Sequence, residues 1–162
     1  LRNFNVRGDS IVVFTGPMDI DPSRIADLED LLEGDEIRSP LMLHFIVEIF
    51  QASLESTVLM QRLLIRLAAD RLVMHGVAGL TVSGDDLYIQ DSKLSVSIAA
   101  PSPVSCMIHL GLNIETEGVP VKAIGLRELG IEAGPFGEEV ARAWTKELES
   151  IRWAISKVRA IP

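Results

Sequence analysis

Apolar and polar positions change period along the chain, and each change predicts a new element. Ser10-Ile-Val-Val-Phe-Thr15 is an uninterrupted apolar run halted by Gly16-Pro17, which predicts a buried strand. Asp21-Pro22 supplies a helix N-cap with proline at the first helical position. Ile25, Leu28 and Leu32 then recur at helical spacing, so a short helix is expected. Leu41–Phe50 is too short and too uniformly apolar for periodicity to decide, and we read it as a strand. Leu41, Leu43, Phe45, Val47 and Ile49 then form one apolar face, while His44 and Glu48 share the other with Met42, Ile46 and Phe50. Ser53–His75 is the clearest helix. Glu55, Arg62, Arg66 and Asp70 make one narrow polar stripe, leucines fill the remainder, and Gly76 supplies the stop.

After that helix the period becomes two. Leu80–Val82, Asp86–Ile89, Lys93–Ala100 and Val104–Ile114 read as strands with tight connections between them, which predicts an antiparallel meander. A short helix is expected over Ala123–Leu129, closed by Gly130. The last helix starts near Pro135 and lines up Val140, Trp144, Leu148, Ile151, Ile155 and Val158. Strands in one block with helices set around them predict an α+β fold, an antiparallel sheet packed on one face by helices.

Composition narrows the class. The 162 residues are 48% hydrophobic and carry 15 Lys+Arg against 23 Asp+Glu, for a formal charge of −8. A chain of this length buries enough surface for a core without staples, and residues 1–162 read as a single domain. The chain opens at Leu1 almost directly into a strand, so further residues upstream are expected. Cys106 alone makes neither an internal disulfide nor a cysteine metal site, and no metal ligand set is assigned. The acidic balance argues against nucleic-acid binding. No apolar run reaches the roughly 20 residues of a membrane span, and no signal peptide is visible, so a cytoplasmic protein is expected.

Candidate chemistry gathers on two neighbouring strands. Alternation over Lys93–Ala100 places Leu94, Val96 and Ile98 on one face and Lys93, Ser95, Ser97 and Ala99 on the other. In Val104–Ile114, Ser105, Met107, His109, Gly111 and Asn113 lie opposite an apolar face. An antiparallel sheet commonly leaves one face to water, and the pattern fits that reading. Small residues with short donors and acceptors also fit a ligand floor, on which Lys93 is the one long cation. His44, Glu48 and His109 form a conceivable polar cluster able to move protons. A strand histidine is also commonly a satisfied structural residue, and both readings stand. Cys106 falls on the apolar face as a core thiol, and His75 at a helix C-terminus fits the helix dipole.

Asp86-Leu-Tyr-Ile-Gln-Asp-Ser-Lys93-Leu94 resembles the signature of biotin-protein ligases and their lipoate-ligase relatives, in which an Asn-Asp-Leu-Tyr hairpin leads into Lys-Leu-Ala-Gly-Ile. His109-Leu-Gly-Leu-Asn-Ile114 resembles their Gly-Ile-Gly-Ile-Asn-Val strand, and Ala123–Leu129 their segment before the last helix. The similarity covers roughly Leu41 to Val158. Gly8–Val13, Met42–Glu48, Gln61–Leu64, Gly84–Tyr88, Lys93–Ile98 and Ser102–His109 are also similar to an archaeal-type family of unknown function grouped structurally with those ligases. The resemblance implies a class II synthetase-like fold.

By that resemblance, Lys93 contacts the carboxylate of an acid and the phosphate of an acyl-adenylate, the one catalytic role expected, and Asn113 faces the nucleotide. An ammonium in a partly dry cleft stabilises the charge that builds during adenylation. Asp86 matches a structural hairpin aspartate. The sequence departs from the ligases at Asp85, Val96 and His109. It also lacks their Gly/Arg-rich adenylate loop: Asp19–Glu36 carries eight acids and one arginine, Arg24, and would repel a triphosphate unless Mg²⁺ intervened. The expectation is a carboxylate or nucleotide-like small molecule bound over Lys93, Ser95, Ser97, His109, Gly111 and Asn113, with His44 and Glu48 nearby. ATP with Mg²⁺ is the cofactor such chemistry would need, in an acyl-adenylate ligase or acyl transferase. The alternative is a non-catalytic module for self-association, as a homo-oligomer, or for a partner.

Overall fold

The computed structural model describes residues 6–34 and 36–161. Strand β1 (Ser10–Asp19) is followed by a 3-10 turn at Pro22–Arg24 and helix α1 (Leu28–Glu33). Then come β2 (Arg38–Phe50), α2 (Leu54–Met74), β3 (Leu80–Ser83), β4 (Asp86–Ile89), β5 (Ser92–Lys93), β6 (Ser95–Pro101), β7 (Ser105–Glu115) and α3 (Ala133–Ser156). A four-stranded antiparallel sheet runs in the order β1-β2-β7-β6, and β3, β4 and β5 form a separate antiparallel sheet. The fold is α+β, with the two long helices on one face of the larger sheet.

Register fixes which face each side chain takes. Leu43 pairs with Leu112, Phe45 with Leu110 and Val47 with Ile108, so both central strands turn one apolar face to the helices. Leu64, Ile65, Ala68 and Leu72 of α2, with Phe136, Val140 and Trp144 of α3, close the core on that face. Ser53 caps α2 by accepting from the Ser56 N–H, and Gly76 ends it at φ 83°. The predicted polar stripe of Glu55, Arg62, Arg66 and Asp70 faces outward. Gly137 lets α3 approach closely, because a Cβ there would stand 2.7 Å from Cγ1 of Val13.

Four expectations change. Gly16-Pro17 does not stop β1: the strand continues to Asp19 through a register shift between Gly16 and Met18. The missing proline N–H is tolerated because β1 is an edge strand. Asp21 caps a 3-10 turn rather than an α-helix, accepting from the Ser23 N–H, and α1 starts only at Leu28. Ala123–Leu129 is not helical. Leu126 and Arg127 donate backbone bonds to the carbonyls of Asn113 and Ile114, so the segment is tied to β7, and its internal bond from the Leu129 N–H to the Gly125 carbonyl closes a turn rather than a helix. Lys93–Ala100 is not one strand: it passes from the smaller sheet to the larger at Leu94. Among the described residues, no helix is long and apolar enough to cross a membrane.

Candidate functional site

The chain is clamped where it changes sheets, and the clamp places Lys93. Its N–H donates to the Lys122 carbonyl, and its carbonyl accepts from the Ile124 N–H and from Nδ2 of Asn113 at 3.3 Å. Tyr88 faces it across the β4–β5 pair. With its backbone held on both sides, Lys93 lines a cavity of about 360 Å³, within the range of small-molecule sites. Its ammonium lies 2.9 Å from Oδ2 of Asp86, and the two side chains are 29% and 23% exposed. Burial pushes the Asp86 carboxyl above the usual carboxylate range, against the opposing pull of Lys93.

The neighbouring Asp85 is held from behind. Arg62 donates to its Oδ1 at 3.0 Å, and Gln61 and Ser97 donate to its Oδ2 at 3.0 and 3.1 Å. Gln61 is a buried side chain that sequence reading missed. It falls off the polar stripe of α2, and a polar residue on the buried side of a helix was the available signal. Asp85 and Asp86 thus present two carboxylates beside one ammonium.

The acidic segment forms the rim, in a way its charge did not foretell. Met18, Ile20, Ile25 and Ile37 turn inward to line the cavity, and Met18 and Ile25 are among the core residues. Arg24, Asp27, Glu36 and Arg38 also line it, with Arg38 3.5 Å from Glu36. Among the described residues, no three His, Cys, Asp or Glu side chains converge as a metal site.

Ser95 and Ser97 do not stand on the open face beside His109. Ser95 pairs with Leu112 and Ser97 with Leu110, which places them on the helix side. Leu94 and Ser95 are both fully buried, so the alternation expected over Lys93–Ala100 resets at the passage between sheets. Ser95 Oγ accepts from the Leu87 N–H at 2.8 Å, tying β4 to β6. Val96 and Ile98 take the open face instead, opposite Gly111 and His109. Because β6 is an edge strand, residues from both its faces reach the cavity, Ser95 and Ser97 among them.

His109 and Asn113 line the cavity from β7, on the face expected. His44 lies behind His109: its Nδ1 is 3.0 Å from Nε2 of His109, and its Nε2 is 3.1 Å from the carbonyl of Gly16. Phe14 stacks on its other side, with ring centroids 4.9 Å apart. Burial lowers the pKa of both rings, and that of His109, with His44 beside it, falls to about 4.

Glu48 does not join this pair. It lies four residues along β2 from His44, about 13 Å at strand rise, and accepts from Ser105 Oγ at 2.7 Å. Gly111 lies beneath Met42, whose Cε would stand 2.9 Å from an added Cβ. Glu48, Gly111 and His44 are not among the residues lining the cavity. His75 pairs with Glu139 at 2.9 Å. Cys106 is buried, with its thiol 3.4 Å from the Ala52 carbonyl.

Comparison with known proteins agrees with this fold. An uncharacterised protein of Methanocaldococcus jannaschii, MJ0805, is 37% identical over 96% of this chain and 73% of its own. A solved protein of unknown function from Pyrococcus horikoshi superposes with a TM-score of 0.94 at 42% identity, covering 99% of this chain and 87% of that one. More distantly, a mutant biotin protein ligase from Aquifex aeolicus in complex with biotin matches with a TM-score of 0.56 at 17% identity, over 67% of this chain and 50% of that one. Protein Ta0514 of T. acidophilum with bound lipoic acid gives 0.58 at 12% identity, over 91% of this chain and 76% of that one. These two share the fold. Over residues 1–159 the sequence matches the family described as domain of unknown function DUF366, and the chain belongs to that family.

Proposed function

We propose that the cavity binds a small acid with an apolar body, its carboxylate or acyl-phosphate group meeting the Lys93 ammonium. The observation that carries this reading is Lys93 itself: clamped by its backbone, about two-thirds buried, and lining a hollow to which Met18, Ile20, Ile25, Met42, Val96 and Ile98 add apolar surface. A partly buried cation with aliphatic side chains beside it suits an amphipathic monoanion, because the tail removes apolar area from water while the head meets a partly desolvated ammonium. The related fold supports it, since the Aquifex ligase is solved with biotin and Ta0514 with lipoic acid.

A nucleotide triphosphate fits less well. Asp27 and Glu36 stand on the rim with Arg24 and Arg38, and Asp85 and Asp86 stand beside Lys93, so among the described residues four carboxylates oppose three cations. Acyl-adenylate ligation or acyl transfer is the most ambitious form of the proposal, and Lys93 is the residue that would touch the reacting group. Calorimetry with octanoate, and separately with ATP and Mg²⁺, on wild type and Lys93→Ala tests it. Octanoate binding that falls at least about tenfold in the variant, the weight of one charge-assisted contact, is expected. Equal affinity for both proteins would refute the role of Lys93.

A second reading, a non-catalytic self-association module, is favoured by α3. Its apolar stripe is buried at Val140 and Trp144 but exposed at Ile155, and continues past the helix end to an exposed Val158. Light scattering decides it: a strict monomer at high concentration counts against it.

A further inference from the structure

The histidine pair fixes its own protons. A backbone carbonyl only accepts, so Nε2 of His44, 3.1 Å from the Gly16 oxygen, carries a hydrogen. In a neutral ring Nδ1 of His44 is then bare and can only accept. The 3.0 Å contact therefore requires that Nε2 of His109 be the donor. Neutral His109 is left with an unprotonated Nδ1, which has no hydrogen-bond partner among the described residues, on a side chain that lines the cavity. The relay runs in one direction, from a carbonyl through two imidazoles to a lone pair.

We infer that Nδ1 of His109 is a fixed hydrogen-bond acceptor that selects cavity ligands carrying an O–H or N–H at the end away from Lys93. This rests on the carboxylate reading above and adds a second recognition point to it. Register supplies the spacing. Asn113 bonds the Lys93 carbonyl, and His109 lies four residues further along β7, about 13 Å at strand rise. Lys93 and His109 thus line the cavity at separate points, with the aliphatic side chains of Val96 and Ile98 on the same face as His109. Burial of both rings disfavours the imidazolium, so the acceptor is retained at neutral pH. A metal ion is the other partner for a bare imidazole nitrogen, but no further ligating side chains converge with it among the described residues.

Two measurements test the inference. Nitrogen-15 NMR of the imidazole rings at pH 7 is expected to show both histidines protonated at Nε2 and bare at Nδ1. A His109 ring protonated at Nδ1 overturns the proposal without any ligand. Calorimetry then compares octanoate, ω-hydroxyoctanoate and ω-methoxyoctanoate. The hydroxy acid is expected to bind about fivefold more tightly than the methoxy acid, as one neutral hydrogen bond gives. His109→Leu should lose that preference, read as the ratio of hydroxy-acid to methoxy-acid affinity within the variant. Equal binding of the hydroxy and methoxy acids overturns the acceptor role and leaves the Lys93 reading standing. Octanoate binding unaltered by Lys93→Ala overturns the latter instead.

Discussion

Acid should destabilise this protein through His109 before it protonates most carboxylates. The ring is neutral in the folded state down to about pH 4, against an ordinary value of 6.5 when the chain unfolds. Between those values the unfolded chain holds more protons than the folded one, so stability rises with pH across the window and is lost as pH falls. At about 1.4 kcal/mol per pH unit, the gap from 6.5 to about 4 amounts to about 3 kcal/mol, a large share of an ordinary domain's stability. His44 shifts in the same direction and adds to the slope. Asp86 acts oppositely, since its raised folded value favours the folded state as pH falls, but it is common to wild type and variant and cancels in their difference. The variant is His109→Gln, whose amide N–H can still donate to Nδ1 of His44 without titrating. Urea unfolding followed by Trp144 fluorescence from pH 7 to pH 4 should show a steeper loss in wild type, the two curves separating by up to about 3 kcal/mol. Parallel curves would refute the argument, because they would mean that His109 takes up its proton equally readily in both states.

Other sites give sharper local tests. Ser95→Ala removes the hydroxyl that meets the buried Leu87 N–H and should cost about 1–3 kcal/mol in urea unfolding; an unchanged midpoint would mean that water replaces it. Gly125→Ala forces a Cβ onto the Ile114 carbonyl oxygen and should cost about 1–3 kcal/mol. Gly111→Ala presses on the flexible end of Met42 and makes ordinary contact with Val96, and should cost less in the same assay. Asp86→Asn removes one carboxylate that competes for the Lys93 ammonium, so octanoate should bind more tightly by calorimetry; weaker binding would assign Asp86 to the ligand rather than to Lys93.

Elements with a strong period were legible in the sequence, and elements set by contacts between segments were not. The polar stripe of α2 and the apolar faces of β2 and β7 follow from local spacing, because each faces a single core. Ala123–Leu129 has a helical composition, yet its N–H groups find partners on β7 at Asn113 and Ile114, which no local pattern encodes. Pro17 fails to end β1 because only the sheet order reveals that β1 is an edge.

The site was legible where it rests on one strand and illegible where it rests on a join. His109 and Asn113 follow from the alternation of β7 alone. Lys93 lines the cavity, but the residues after it take the other face from the one expected, because period-two reading assumes a continuous pleat and Leu94 interrupts it. That one slip has a chemical consequence. A floor of Ser95 and Ser97 alone would be polar and suited to a sugar or phosphate, whereas Val96 and Ile98 beside His109 add aliphatic surface to it. The acidic segment misleads in the same way. Its charge density describes composition, while Met18, Ile20 and Ile25 decide which side faces the cavity, and an irregular segment has no period from which to read that side. Both corrections favour the proposed apolar acid over a nucleotide as the ligand to test against Lys93 and His109.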